Sequence, residues 1–112
     1  MDAVGPNGEE LTIDVATSPG ERCERAVVVS SGLHGVEGPF GAAVQCKLLN
    51  EQPAVAPHDA KVRFVFLHAL NPFGYAWSRR VNEDNVDLNR NFLLAGEEYA
   101  GCSVHLVTEE LD

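Results

Sequence analysis

Two β-rich runs flanking one amphipathic stretch constrain this 112-residue chain more than any other feature. Arg25-Ala26-Val27-Val28-Val29-Ser30-Ser31 is a continuous apolar run, and Lys61-Val62-Arg63-Phe64-Val65-Phe66-Leu67 is a second segment rich in β-branched and aromatic residues. Between them Phe40, Ala43, Val44 and Leu48 recur at spacings of three and four, with Gln45 and Lys47 on another face. The spacing predicts an amphipathic helix over 39–51. Pro39 falls in its first turn, where a missing N–H costs nothing, and the Asn50 to Pro57 stretch ends it. Strand, helix and strand in this order make a βαβ unit, and hence a parallel pair in an α/β sheet. A run as apolar as 25–31 is expected where a strand is covered on both faces, at the centre of such a sheet.

Upstream, Gly5-Pro6-Asn7-Gly8 is turn chemistry. Leu11, Ile13 and Val15 then alternate with polar neighbours over 10–16, the pattern of a half-buried strand. The order is therefore strand, strand, helix, strand, within one domain's length of chain. After Asn71-Pro72 the pattern becomes irregular for about twenty residues dense in Asn, Asp and Arg, and long irregular stretches in compact domains tend to carry function.

With 8 Lys and Arg against 17 Asp and Glu, the formal net charge is -9. That balance disfavours polyanionic partners, nucleic acid and anionic membrane surfaces alike. The three cysteines (Cys23, Cys46, Cys102) are odd in number, widely spaced and without a CxxC pair, which argues against both a disulfide framework and a thiolate zinc cluster. No signal peptide and no membrane-length apolar run is visible, so a soluble, cytoplasmic chain is expected.

His34-Gly35-Val36-Glu37 places an imidazole and a carboxylate three residues apart, directly after the first apolar run. Zinc takes neutral His nitrogen and carboxylate oxygen in a near-tetrahedral shell. Loops at the carboxyl ends of α/β strands are where such folds build sites. Glycines at 32, 35 and 38 let the backbone turn tightly enough to aim both side chains at one point. The same four residues also suit a simple hydrogen-bonded surface pair.

Downstream, Asn85-Val86-Asp87-Leu88-Asn89-Arg90-Asn91-Phe92 concentrates Asn and Arg. An Arg fork matches a carboxylate bidentately, and a neighbouring Asn can hold its second oxygen, which makes Asn89 and Arg90 candidates for a substrate's carboxylate end. Arg79 and Arg80 are candidates to polarise a scissile carbonyl. The competing reading is a loop whose arginines pair with Glu83, Asp84 and Asp87.

Ser31-Gly32-Leu33-His34-Gly35-Val36-Glu37-Gly38, then Asn71-Pro72-Phe73-Gly74-Tyr75, then Asp87-Leu88-Asn89-Arg90-Asn91-Phe92 resemble, in order, the motifs of the zinc carboxypeptidase family. The likeness covers roughly residues 8 to 101 and is strongest to an uncharacterised bacterial branch, a domain of unknown function grouped with the zinc carboxypeptidases. Aspartoacylase and succinylglutamate desuccinylase relatives share the outline. The resemblance implies a partial three-layer α/β/α fold, a zinc cofactor held by His34 and Glu37, and carboxylate capture by Asn89 and Arg90. It implies an electrophile at Arg80 or Arg79, and hydrolysis of an amide or peptide bond next to a free carboxylate.

The family's third zinc ligand and its catalytic glutamate have no counterpart in this chain. His105 comes too soon after Arg90, no likeness extends into 102–112, and His58 and His68 read as structural. The chain is thus expected to be the N-terminal half of such a domain, with an incomplete and inactive site. A deacylase of the aspartoacylase type and a non-catalytic anion-binding module are the alternatives.

Overall fold

A computed structural model describes residues 3–18, 23–55, 61–90 and 92–98. Its elements are β1 (Asp14–Thr17), β2 (Arg25–Ser30), α1 (Gly38–Val55), β3 (Val62–His68) and α2 (Pro72–Ala76), with short 3-10 turns at Gly35–Glu37 and Leu88–Arg90. His58, His105 and the 102–112 tail lie outside the described residues.

The α/β reading holds. β2 and β3 pair in parallel, from Arg25 opposite Val62 to Ser30 opposite Leu67, with α1 as the crossover. β1 joins the other side of β3 antiparallel, giving the order β1-β3-β2. This order corrects one expectation. The strand with neighbours on both sides is β3, and the apolar β2 is a sheet edge among the described residues, with Val27 43% and Val28 58% exposed. A run of valines reports β-propensity and a wish for burial; it does not encode how many strands will lie alongside.

The first strand is shorter than 10–16. The alternation itself is kept, with Leu11, Ile13 and Val15 half-buried between exposed Thr12 and Asp14. Ladder pairing begins only at Asp14, opposite His68. Beyond His68 the partner strand turns away through Ala69, whose φ of 56° leaves extended backbone. Among the described residues, those ahead of Asp14 therefore have no ladder partner on β3.

Helix α1 runs past the expected end, through Asn50 to Val55. Its inward face is also rotated by about one residue from the apolar stripe. Gly38 and Gln45 are buried and Gly41, Ala42 and Leu48 half-buried, while Phe40 is 80% exposed and Ala43 and Val44 face solvent. Hydrogen bonding explains the rotation. The Gln45 amide donates to the carbonyls of Val29 (2.9 Å) and Leu67 (3.0 Å), one on each parallel strand. A buried Gln45 amide left without these acceptors would cost on the order of 1–3 kcal/mol, as much as burying another apolar side chain would return.

The stretch after Asn71 is less irregular than expected. Asn71 caps α2 by accepting the Gly74 amide at 2.8 Å, and Pro72 opens the helix. Among the described residues the buried side chains are few and largely polar: Phe66 and Ala69 against Ser18, Ser31, Gln45 and Asn71.

Candidate metal centre

The His34 loop begins where β2 ends. Ser31 remains tied to β3 through its amide to Leu67 O (3.0 Å), and its carbonyl accepts Leu70 N at 3.0 Å. Gly32, with φ of 70°, then bends the chain out of the sheet in a conformation that L side chains avoid. Gly35 lies against the backbone of Gly74, so close that a Cβ there would sit 1.8 Å from the Gly74 carbonyl carbon. Further hydrogen bonds fasten this contact. Val36 N donates to Arg79 O (3.0 Å), Arg79 N to Gly74 O (2.7 Å) and Asn71 N to Gly32 O (2.9 Å). The Asn71-Pro72-Phe73-Gly74 motif is thus a brace that sets the His34 turn against the Arg79-Arg80 segment.

At the far end of that segment stands Asp87, which the sequence offered only as an arginine partner. Its Oδ1 receives His34 Nε2 at 3.0 Å and the Asn89 amide at 2.9 Å, and its Oδ2 receives Arg80 Nε at 3.0 Å. Partial desolvation pushes the Asp87 carboxyl upward. The hydrogen bonds from Arg80, His34 and the Asn89 amide, with the charge of Arg80, outweigh it and bring the pKa from 3.8 down to about 2.

An ionised carboxylate only accepts, so the His34 proton sits on Nε2. In the neutral ring Nδ1 is then a bare lone pair. It faces Glu37 Oε2 at 3.4 Å, and with the ring neutral both atoms are acceptors. The separation is long for an N–H···O bond, whose usual length is about 2.9–3.0 Å. It matches the edge of a tetrahedron with metal bonds of about 2.0–2.2 Å, which comes to roughly 3.4 Å. The pair could therefore hold two corners of a zinc shell, with Asp87 orienting the ring from the opposite nitrogen, as carboxylates do behind metal-bound imidazoles. Because Asp87 occupies that other nitrogen, it cannot itself be the third ligand. Among the described residues no group of three or more His, Cys, Asp or Glu could hold a metal ion.

The remaining candidates separate. Arg80 is joined to His34 through Asp87. Arg79 points elsewhere, its guanidinium on Asn85 Oδ1 (3.0 Å) and 5.6 Å from the Phe73 ring centroid. Asn89 reaches the cluster by its backbone, and Arg90 is exposed with its guanidinium on the Asn89 carbonyl at 3.0 Å. The competing pairing of arginines with acidic neighbours is realised for Arg80 and Asp87. Arg79 takes an amide oxygen instead.

Nothing in sequence spacing points from His34 to a carboxylate 53 positions away. The available signal was Asp87's place two residues before Asn89 in the third motif.

Among the described residues, no helix is long and apolar enough to cross a membrane. No curated protein and no solved structure matches the chain. The profile of a protein family described as "Protein of unknown function (DUF2817)" matches residues 1–105, and the chain belongs to that family.

Proposed function

We propose that this chain carries the first half of a zinc-dependent, metallocarboxypeptidase-like hydrolytic site, acting on an amide or peptide bond next to a free carboxylate. The observation that carries the reading is the His34 ring. One nitrogen is tied to an ionised Asp87, and the other faces a second acceptor at 3.4 Å. That arrangement calls for a cation between Nδ1 and Glu37.

Bound there, zinc would supply Lewis-acid polarisation and lower the pKa of a coordinated water. The protein's own part is positional. Asp87 keeps the His34 lone pair aimed at the metal, and Arg80 brings a permanent positive charge beside the imidazole, where a polarised carbonyl oxygen would be stabilised. Asn89 and exposed Arg90 would receive the substrate's carboxylate. Arg80 is the better electrophile of the two neighbours, since Arg79 is engaged by Phe73 and Asn85.

Catalytic zinc sites use three protein ligands and an open position, so the reading requires a third donor from outside the described residues. Without it the metal is weakly held and the half-site is inert. Calorimetric titration with zinc tests this directly. Weak binding that disappears in His34→Ala and in Glu37→Gln supports the half-site, whereas equal binding in wild type and His34→Ala contradicts it. A hydrolysis panel of C-terminal peptides and N-acyl amino acids is expected to give no turnover. Turnover of N-acyl amino acids alone would move the assignment to the deacylase type.

A further inference from the structure

The region behind the His34 loop contains a polar cluster that the proposed chemistry does not use. Gln45 is 4% exposed and Ser31 7% exposed, and His68 lies beside them at the end of β3. Both Gln45 amide hydrogens are taken by strand carbonyls, Val29 O and Leu67 O. Its Oε1 is therefore the acceptor for the Ser31 hydroxyl, at 2.7 Å. With its single proton so used, Ser31 Oγ can only accept from the remaining neighbour, His68 Nδ1, at 3.2 Å. The neutral His68 ring must then carry its hydrogen on Nδ1.

We infer that buried Gln45 and Ser31 and half-buried His68 form a positioning relay for the loop that bears His34 and Glu37, and that the relay fixes His68 in the tautomer opposite to that of His34. Two arms connect it to the loop. One is covalent, because Ser31 is the last residue before the Gly32 bend and its backbone is pinned to Leu67 and Leu70. The other is a ring contact. His68 meets the edge of Tyr75 at 5.0 Å and 78°, and the Tyr75 ring lies against Gly32 and Gly38 at the two ends of the loop. A fault at Gln45 is thereby passed to His34 without any direct contact. The consequence for metal affinity rests on the half-site reading; the tautomers and the loop's order do not.

Long-range proton–nitrogen spectra of the metal-free, nitrogen-15-labelled chain, at about pH 8 where ordinary histidines are neutral, test the inference. In wild type, His68 is expected to show a protonated Nδ1 and a bare Nε2, and His34 the reverse, with a slowly exchanging Nε2–H. Gln45→Leu frees the Ser31 hydroxyl to donate to His68 Nδ1, so His68 should switch to the Nε2–H form. Ser31→Ala, the milder change, removes the acceptor and should erase the Nδ1–H bias. In both variants the His34 Nε2–H should exchange faster with solvent.

A wild-type His68 protonated on Nε2 would overturn the inference without recourse to any variant. So would a folded Ser31→Ala whose His34 ring proton exchanges as slowly as in wild type. With zinc added, Ser31→Ala should bind about tenfold more weakly, the loss expected when groups behind a ligand are removed. Absence of wild-type zinc binding would refute the half-site alone, because the metal-free spectra decide the relay independently.

Discussion

At the corner that holds His34, four chain segments are tied together by hydrogen bonds: the 31–38 loop, Ala69–Asn71, the Gly74–Arg80 stretch and the turn at Asp87–Arg90. Along the β2 edge and on the outer side of α1, Val27, Val28, Phe40 and Val44 are exposed to solvent instead. The apolar side chains suited to building a core are at the surface here, and the polar ones are buried at the corner. Order at the corner thus comes from satisfied backbone groups and close glycine contacts rather than from apolar area. Such a site fails by local misfit, and the outer face should tolerate change.

Substitutions can break this contrast. The largest effect is expected from Gly35→Ala, whose added Cβ meets the Gly74 backbone; overpacking of that kind should destabilise by about 3 kcal/mol in denaturant unfolding. Asn71→Ala removes the α2 cap and leaves the Gly74 amide unpaired in a buried position, for a loss of about 2 kcal/mol.

Asp87→Asn should act mainly through pH. The folded-state pKa of Asp87 is depressed from 3.8 to about 2, so its contribution is complete above the unfolded value and is lost as pH falls from about 4 towards 2. Acid unfolding of Asp87→Asn should be shallower across that window than that of wild type. Phe40→Ser, on the outer face, should change stability by less than about 0.5 kcal/mol while reducing self-association in light scattering. If Phe40→Ser costs as much as Asn71→Ala, the contrast between the two regions is wrong.

The parts of the molecule legible in the sequence are those carried by local pattern. The valine run in 25–31, the β-branched and aromatic residues of 61–67 and the spacing from Phe40 to Leu48 announced strands and a crossover helix, and the glycines around His34 announced a tight loop. What stayed hidden is non-local. The edge position of β2 depends on which strands find β3, and the burial of Gln45 depends on two strand carbonyls beneath it. Arg79 and Arg80 are indistinguishable as neighbours in sequence. They separate only when the Gly74 brace turns one towards Phe73 and the other towards Asp87. His68, read as structural, sits in the packing behind the site with its Nδ1 3.2 Å from Ser31 Oγ.

In the proposed half-site, His34 presents Nδ1 to a metal while Asp87 holds Nε2. Zinc titration followed through the ring nitrogens of His34 tests it most directly. Added zinc should shift the His34 Nδ1 resonance and leave Nε2 protonated and bonded to Asp87, with no shift in Glu37→Gln. Loss of the Nε2 proton on zinc addition, or zinc binding that leaves both His34 nitrogens unmoved, would contradict it.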